Sequence, residues 1–248
     1  MEFLARVNPR YFAAINLFAA KNDVRYYLNG VCIERHPEQG VILIATNGYI
    51  MSAIHDPDGW LVDGQDSIIV GSIPKTLASA CTARTKKGCL GVKDLWIAEH
   101  CAVITMQGAE GQPEPFGAET IASERISLID GKFPDWKKAA TRGELSEVKR
   151  FPNVNGKYLA RFADAAAVLM GELIAKKYGC ALDIQPTSQN GQVIVRIPSE
   201  PLVERFVGII MPLRADVIPK TVMPSWMQQP KRARVQYRGG EKIEGGDA

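Results

Sequence analysis

The residue types that most often carry out catalysis are present in this sequence, but they do not form a recognised catalytic motif. The three histidines, His36, His55 and His100, lie in separate segments of the 248-residue chain. The sequence has no glycine-rich phosphate loop, no HExxH zinc motif and no GxSxG nucleophile motif. Asp130 and Asp135 flank a turn, where aspartate side chains commonly bond to the backbone. We therefore expect no enzymatic activity, no catalytic or metal-binding residues and no cofactor.

The cysteines do not indicate a disulfide framework or a zinc site. They are odd in number and form no CxxC pair: Cys32, Cys81, Cys89, Cys101 and Cys180. This pattern is typical of reduced, mostly buried thiols. No apolar run approaches the roughly 20 residues that span a bilayer, and the first residues have neither a basic region nor an apolar core of a secretion signal. We expect a cytoplasmic protein with no membrane contact.

The composition describes a globular protein with little net charge. Hydrophobic residues make up 46% and charged residues 23% of the chain, and this length favours one large or two small domains. The net charge of +3 is too small to indicate nucleic-acid binding by itself. If DNA is a partner, the basic residues must be segregated onto one face.

Residues 1–56 have a pattern of β-strands around one helix. Asn8 and Pro9 provide a helix start, because asparagine is a favourable N-cap and proline suits the first helical position. Thr46-Asn47-Gly48 predicts a tight turn between two strands. The strands are predicted at Glu2–Val7, Arg25–Ile33, Val41–Ala45 and Tyr49–Ile54. The order is therefore βαβββ.

Residues 66–136 repeat this order after a loop rich in Asp, Pro and Gly. A helix is predicted from Pro74 to Lys87, where Gly88 would end it. The predicted strands are Ser67–Val70, Leu90–Ile97, Ala102–Met106 and Thr120–Leu128. The unit closes with residues 129–136.

Residues 147–214 predict a third unit, which follows a charged linker at about residues 137–147. Asn155 is the expected N-cap of one long helix that continues to about Lys177. The predicted strands are Val148–Val154, Ala181–Gln185, Gln192–Ile197 and Phe206–Met211. Residues 215–248 form a polar, basic tail that we expect to be disordered or loosely packed.

Several motifs in sequence order resemble bacterial DNA sliding clamps, the β subunit of DNA polymerase III. Asp23–Gly30, which reads Asp-Val-Arg-Tyr-Tyr-Leu-Asn-Gly, resembles the start of a strand in the central clamp domain. Ala45–Gly48 resembles the Ala-Thr-Asp-Gly turn of that domain, and Asp130–Trp136 resembles its closing segment, Asp-Gly-Arg-Phe-Pro-Asp-Tyr. Val154–Ala163 resembles a helix start in the third domain, and Ile209–Arg214 its Val-Val-Met-Pro-Met-Arg end.

The resemblance implies an α+β clamp fold, with helices on one face and antiparallel sheets on the other. Residues 1–136 resemble the complete central domain, and residues 147–214 resemble the second half of the third domain. The N-terminal clamp domain and the first half of the third have no counterpart, so we expect a shortened clamp of the kind that a phage or mobile element carries. If a closed ring needs about twelve βαβββ units, three units a chain imply about four chains.

The resemblance also implies a pocket that accepts a short apolar linear motif from polymerases and the clamp loader. Fifteen positions match it: Leu28, Thr46, Gly48, Tyr49, Ile50, Met51, Pro134, Lys138, Ala139, Ile209, Ile210, Met211, Pro212, Leu213 and Arg214. The alternative is that these residues are ordinary core between two domains. Tyr49 and Ile50 replace a His-Arg pair that is common in the family, so partner preference is expected to differ.

The same resemblance implies that basic residues on the helices face sequence-independent duplex DNA. The candidates are Arg10, Lys21, Arg25, Lys75, Arg84, Lys86, Lys87, Lys157, Arg161, Lys176 and Lys177. Cations placed in this way bind phosphates without reading bases. Without the resemblance, the simpler interpretation is a set of solvated surface charges.

Two functional hypotheses follow. The first is a processivity factor that encircles DNA as a homo-oligomer and tethers polymerase. The second is a non-ring adaptor or decoy that binds the clamp-interaction motifs of replication proteins.

Overall fold

The computed structural model describes residues 2–83, 94–106, 120–140, 151–188, 191–213, 236–238 and 241–243. The chain divides into two compact units, Met1–Ala215 and Asp216–Ala248. In the second unit, the described residues pair as an antiparallel hairpin. The larger compact unit, Met1–Ala215, contains the described helices, both large sheets and the core. No described helix has the length and apolar character that crossing a membrane requires.

The predicted βαβββ order is confirmed in the first two units. The first unit comprises β1 (Phe3–Val7), α1 (Pro9–Asn16), β2 (Val31–Arg35), β3 (Val41–Thr46) and β4 (Ile50–Asp56). A short strand, β5 (Trp60–Leu61), follows it. The second unit comprises β6 (Ser67–Val70), α2 (Lys75–Ala80), β7 (Asp94–Ala98), β8 (Cys101–Thr105) and β9 (Thr120–Arg125).

The remaining described elements begin at the last residue of the predicted second unit, Trp136, and the first of them continues into the predicted linker. They are α3 (Trp136–Ala140), α4 (Gly156–Met170), α5 (Glu172–Tyr178), β10 (Asp183–Pro186), β11 (Val193–Arg196), α6 (Leu202–Arg205) and β12 (Phe206–Ile210). The hairpin in the second compact unit consists of β13 (Gln236–Arg238) and β14 (Glu241–Ile243).

The first strand of residues 1–56 pairs in the sheet of residues 66–136, and the first strand of residues 66–136 pairs in the sheet of residues 1–56. One sheet has the order β5-β1-β7-β8-β9, so β1 lies beside strands of the second unit. The other has the order β10-β11-β12-β4-β3-β2-β6, so β6 lies beside β2. The third unit joins this larger sheet, where β12 pairs antiparallel with β4 and places Ile209 opposite Met51. The sheet is therefore continuous from residues 31–70 to residues 183–210.

The helices pack on the sheets through one apolar core, which confirms the α+β class. Asn8 caps α1 by accepting the N–H of Arg10 at 3.0 Å, and the cap places Phe12 and Ile15 in the core. Helix α1 packs against β3, β4 and α4. The ring of Phe18, two residues after the end of α1, lies with its centroid 4.7 Å from that of Phe162 in α4.

Several sequence expectations for local structure are wrong. The helix predicted from Pro74 to Lys87 ends at Ala80, and residues 84–87 lie outside the described residues. Tyr26–Leu28 form one turn of 3-10 helix rather than a strand, and the strand begins at Val31. The predicted single helix after Asn155 is interrupted at Gly171, whose φ of 91° is outside the helical range. Residues 151–154 are not in a strand; Pro152 lies there and has no N–H to donate to a ladder. The other part of the Val148–Val154 prediction lies outside the described residues.

Candidate functional site

An apolar hollow of about 220 Å³ lies where the third unit joins the larger sheet. Its wall comes from the 3-10 turn and the residues before it, the β3–β4 hairpin, the segment that leads into α3 and the end of β12. The wall residues are Arg25, Tyr27, Leu28, Thr46, Gly48, Tyr49, Ile50, Met51, Pro134, Asp135, Trp136, Ile209 and Met211. This volume is smaller than the roughly 300–1,000 Å³ of pockets that enclose drug-sized ligands, so it suits one or two side chains.

The β3–β4 hairpin holds its part of the wall through side chain-to-backbone hydrogen bonds. The Thr46 hydroxyl donates to the carbonyl of Ile50 at 2.7 Å and accepts the N–H of Gly48 at 3.0 Å. Asn47 Oδ1 accepts the N–H groups of Tyr49 and Ile50, each at 3.0 Å. Gly48 has a φ of +88°, which permits this tight turn. The turn leaves Tyr49 61% exposed at the rim.

The stretch before the 3-10 turn is fixed by Asp23. Its carboxylate accepts the backbone N–H of Arg25 at 2.9 Å and two bonds from the guanidinium at 3.0 and 2.8 Å. The side-chain bond from Arg25 is the main reason that the pKa of Asp23 falls to about 2. Asn29 exchanges two bonds of 2.9 Å with the Asp23 backbone and closes the loop. These bonds replace the ladder that a strand would have formed.

Trp136 forms another part of the wall of the hollow, and a carboxylate holds its side chain in place. Its indole N–H donates to Glu34 Oε2 at 2.9 Å. Lys137 Nζ binds the other oxygen of Glu34 at 2.5 Å and lies 5.6 Å from the centre of the indole ring. Trp136 also packs against a small apolar cluster on the sheet that contains Ile44, Met51, Ala53 and Ile209.

The structure brings together most of the residues predicted for a pocket. Those that line the hollow are Leu28, Thr46, Gly48, Tyr49, Ile50, Met51, Pro134, Ile209 and Met211. Four predicted residues do not line it. Lys138 instead pairs with Asp135 at 3.1 Å. Ile210 is fully buried in the main core, because successive residues of β12 face opposite sides.

Beyond Met211 the chain leaves the hollow. Pro212 and Leu213 come after Met211 in the chain and do not line the hollow. The N–H of Leu213 donates to the carbonyl of Asn153 at 2.8 Å. Arg214 and the side chain of Ala139 lie outside the described residues. Sequence reasoning missed Tyr27, Asp135 and Trp136 as wall residues, and it assigned Arg25 to DNA contact instead. Two of these are aromatic residues inside the motifs that carried the resemblance, which was the available signal.

The predicted DNA-facing residues have several different surroundings. Arg25 lies on the wall of the hollow and not with the helix cations. Arg10 is half-buried and donates to the carbonyl of Val168 in α4 at 3.4 Å. The exposed lysines among them are Lys21, Lys75, Lys157, Lys176 and Lys177. Arg84, Lys86 and Lys87 lie outside the described residues.

A chain of ring contacts leads from the rim of the hollow to α4. Tyr49 stacks on Tyr158, which lies in the first turn of α4. The guanidinium of Arg161, one turn further along, lies 5.9 Å from the centre of the Tyr158 ring. The apolar hollow and a cation of the helix are thus linked by direct contacts.

The ionisable groups inside the described core lie away from this hollow. Burial raises the pKa of the Asp56 carboxyl to about 6. Burial also raises the pKa of the Cys32 and Cys81 thiols to about 12, so both are protonated near neutral pH. Within the described ranges, no cluster of three or more potential metal ligands occurs.

No protein-family model matches the sequence, and no curated protein matches it. Solved structures match over most of the chain. The DNA polymerase III subunit beta from Pseudomonas aeruginosa superposes with a TM-score of 0.54 at 18% identity, over 86% of this chain and 66% of that one. The H. pylori beta clamp in complex with diflunisal has a TM-score of 0.54 at 11% identity, over 86% and 67%.

A third solved structure gives the same result. The DnaN sliding clamp from Bartonella birtlesii bound to griselimycin has a TM-score of 0.53 at 15% identity, over 86% of this chain and 67% of that chain. The chain thus spans about two thirds of the length of these clamps. At such identities the likeness shows the fold: two antiparallel sheets and a few helices in the arrangement of a sliding clamp.

Proposed function

We propose that this protein is a shortened sliding clamp, of a phage or mobile-element type, that encircles duplex DNA as a homo-oligomer. In this proposal the hollow binds a linear motif of a polymerase and tethers it. The observation that carries the proposal is the position of the hollow in a chain with the clamp fold. It lies at the junction of β4 and β12, and its wall combines residues from the first unit and the third.

The character of the hollow favours a peptide over a polar metabolite. Met51 and Met211 line it, and methionine side chains adapt their shape to different apolar partners. Arg25 and Asp135 provide polar groups at the wall. A short peptide could insert one or two apolar side chains into the hollow and form hydrogen bonds with Arg25 and Asp135. It would thus match both the apolar and the polar groups of the wall.

Two exposed residues near this site provide a matched test. Met211 lines the hollow and is 42% exposed; Leu213 is 44% exposed and does not line it. We expect Met211→Asp to weaken binding of a fluorescein-labelled Gly-Ser-Leu-Asp-Leu-Phe peptide at least about tenfold, since a charge in an apolar site must be desolvated. Leu213→Asp should change the dissociation constant less than about twofold. Equal effects of the two variants would contradict the peptide site.

The proposed DNA contact rests on exposed lysines of the helices. Lys75 lies at the start of α2 and Lys157 at the start of α4, and both are exposed. A non-specific phosphate contact should weaken as salt rises, with a slope set by the number of cations involved. We expect the Lys75→Glu/Lys157→Glu double variant to lose retention on circular DNA and keep peptide binding. The charge-matched control is Lys132→Glu, because Lys132 is exposed beside Phe133, which packs with the apolar cluster on the sheet.

Unpaired sheet edges support a head-to-tail assembly. Among the described strands, none pairs with the outer side of β9 or of β10. The β6 edge, by contrast, is covered, since the N–H of Gly71 donates to Ser127 at 2.8 Å. Exposed edges favour pairing with another chain. Because β9 and β10 differ in sequence, pairing between them would be heterologous, and a ring closes only if the rotation permits.

Solution mass is the experiment that separates the ring from the alternative. Light scattering over a range of concentrations should give one stable multimer of this chain. A persistent monomer would exclude an autonomous ring. The alternative function is a non-ring adaptor or decoy that uses the same hollow. In that case the Met211 and Leu213 variants should still differ, whereas the lysine variants should have no effect on DNA retention.

A further inference from the structure

We infer that two copies of this chain join through their third units, so that the two units together complete one clamp-type domain. Residues 151–154 of each copy would add a strand to β10 of the other copy, which makes the contact two-fold. This inference rests on the proposed homo-oligomer, and it deepens that proposal by naming one of the interfaces.

The larger sheet has no strand at one position where its symmetry requires one. Its order, β10-β11-β12-β4-β3-β2-β6, is symmetric about the β12–β4 pair as far as β10 and β2. In both halves the strands follow the main helix of their unit, so β10 corresponds to β2. The second unit's β6 covers the outer side of β2, but among the described strands none covers β10. The position beside β10 is therefore open.

The burial of these two corresponding strands differs in the same way. Val31, Cys32 and Ile33 of β2 are at most 1% exposed, whereas every residue of β10 is partly exposed. A strand edge that is neither paired nor covered favours the addition of a strand from another chain. We therefore identify β10 as an acceptor edge.

The first two units show which segment fills such a position. The strand before the helix, β1 or β6, pairs in the sheet of the other unit. Its opposite side bonds to the chain that returns after the last strand of its own unit. The N–H of Val62 donates to the carbonyl of Leu4 in this way, and the N–H of Ile129 to that of Ile69, each at 2.8 Å. A first strand is therefore bonded on one side by its own unit and on the other by the unit that completes its domain.

The third unit forms the first of these two sets of bonds and not the second. After β12, the N–H of Leu213 donates to the carbonyl of Asn153 at 2.8 Å, and Asn155 caps α4 as Asn8 caps α1. Residues 151–154 thus lie where a first strand belongs, but no described strand pairs with their other side. Phe151, at the start of this segment, is 45% exposed. We identify residues 151–154 as a donor segment.

A second copy of this chain fits both features, because each copy has the donor segment and the acceptor edge. Surfaces of this kind are self-complementary and form an isologous contact. No further βαβββ unit occurs among the described residues, where only the hairpin of β13 and β14 follows β12. Pro152 is compatible with the added strand, since proline is accepted in an edge strand when its nitrogen faces away from the ladder.

This contact determines how a ring would be built. When β10 is occupied by the third unit of another copy, the two-fold contact replaces the head-to-tail pairing of β9 with β10. Two joined copies would then hold three complete pairs of units, and their β9 edges would remain for a second two-fold contact. A ring of about four chains would alternate between the two kinds of contact, whereas a head-to-tail ring repeats one kind.

Phe151→Glu and Ile121→Glu distinguish the two arrangements. Phe151 lies in the donor segment and is 45% exposed; Ile121 lies on β9 and is 38% exposed. A glutamate buried in either contact must be desolvated, so each change should abolish one contact and leave the other. By light scattering, Ile121→Glu should be a dimer that is joined through the third units. Phe151→Glu should lose this contact, and the double variant should be a monomer.

A head-to-tail ring predicts a different result for the same variants. Because such a ring has one kind of contact, Ile121→Glu on β9 would give a monomer. A monomeric Ile121→Glu protein from a multimeric wild type would therefore overturn the inference. A Phe151→Glu protein with the mass of the wild-type multimer would also overturn it. Circular dichroism of each variant checks that the fold is retained.

Amide hydrogen exchange tests the contact in the unaltered chain. The β10 amides that point away from β11 should exchange at least about tenfold more slowly at a concentration at which the multimer forms than after dilution to the monomer. The amides of β11 are the control, since that strand is paired on both sides within the chain. Exchange at β10 that does not depend on concentration would contradict the inference.

The results also separate the inference from the proposed function. A dimer of third units that is not retained on circular DNA would support the inference and contradict the DNA-encircling role. A ring that is retained on DNA but becomes monomeric with Ile121→Glu would support the function and overturn the inference. A persistent wild-type monomer would overturn both the inference and the ring, and the adaptor function of the hollow would remain.

Discussion

Tyr49 and Tyr158 stack with their ring centroids 6.2 Å apart and their planes inclined by 15°. Tyr49 belongs to the β3–β4 hairpin and forms the rim of the hollow. Tyr158 belongs to α4, more than 100 residues later in the chain. The stack therefore connects the first unit to the third on the side of the hollow, in addition to the pairing of β4 with β12. It gives the rim a defined position.

The stack predicts an energetic coupling between these two residues. Each single change, Tyr49→Ala or Tyr158→Ala, should lower the free energy of unfolding, and the double variant should lower it by less than the sum. We expect a coupling of about 0.5–1.5 kcal/mol, the usual range for aromatic pairs. Urea unfolding of the four proteins of the cycle gives this number. Additivity within about 0.3 kcal/mol would mean that the rings do not interact in solution.

Gly208 and Gly156 should respond in opposite ways to the same substitution. A Cβ added to Gly208 on β12 would lie 2.0 Å from the Phe162 ring, whereas one added to Gly156 meets no atom within 4 Å. We expect Gly208→Ala to destabilise the protein by about 1–3 kcal/mol or more, because the core ring must move. Gly156→Ala should be neutral or stabilise by up to about 1 kcal/mol, since alanine favours a helix. Thermal unfolding of both variants tests this, and a Gly208→Ala protein as stable as wild type would contradict the close helix–sheet contact.

Asp56 predicts a dependence of stability on pH. The residue is 3% exposed, and its carboxylate accepts the N–H of Asn8 at 2.6 Å. Burial raises the pKa of this carboxyl from 3.8 to about 6. Between pH 3.8 and about 6 the folded state binds more protons than the unfolded state, so the free energy of unfolding falls as pH rises. The loss reaches up to about 3 kcal/mol above pH 6. Urea unfolding between pH 4 and 8 measures it.

The matched variants isolate the contribution of Asp56 to that profile. Asp56→Asn cannot ionise and keeps an oxygen that can accept the N–H of Asn8. Its stability should therefore change less with pH, and its advantage over wild type should grow as pH rises through 6. Asp63→Asn is the control, since that side chain is fully exposed. A wild-type profile parallel to that of Asp56→Asn would show that Asp56 is not the titrating group.

Asn29 should stabilise the wall residues that lie between it and Asp23. It donates to and accepts from the Asp23 backbone, and both bonds are partly buried. Asn29→Ala should cost about 1–3 kcal/mol, because two hydrogen bonds are lost together. Amide hydrogen exchange of Leu28 and Asn29 should accelerate more than that of the β2 amides. Uniform acceleration over the whole unit would indicate a global loss of stability instead.

Features that depend only on residues close together in the sequence, such as helix N-caps and short strands, were predicted correctly at several places. Asn8 and Asn155 cap helices as expected, because an N-cap bonds to a backbone N–H only two or three residues away. The strand at Ser67–Val70 was predicted with the bounds that the structure gives it. Its four residues are bounded by turn formers and contain three β-branched side chains.

Other features depend on contacts that no local pattern contains. Tyr26 to Leu28 have strand propensity, but Asp23 binds the backbone N–H of Arg25 and Asn29 donates to the backbone carbonyl of Asp23, and these bonds favour a turn. Trp136 could not be assigned to the wall from its neighbours, because its position depends on Glu34, 102 residues earlier. The helix break was accessible to sequence reasoning, since Gly171 stood inside the predicted helix.

The pairing of β1 with β7 and of β6 with β2 means that the repeating unit of sequence is not a unit of folding. A chain cut between residues 61 and 67 would give two fragments, and each would hold strands that pair in the other fragment's sheet: β1 and β5 in the first, and β6, β10, β11 and β12 in the second. Neither fragment could complete its sheet alone, yet the pair could reassemble by exchanging those strands. This cut is therefore a natural place to divide the protein into a complementing split pair, with reassembly itself reporting that both sheets have formed.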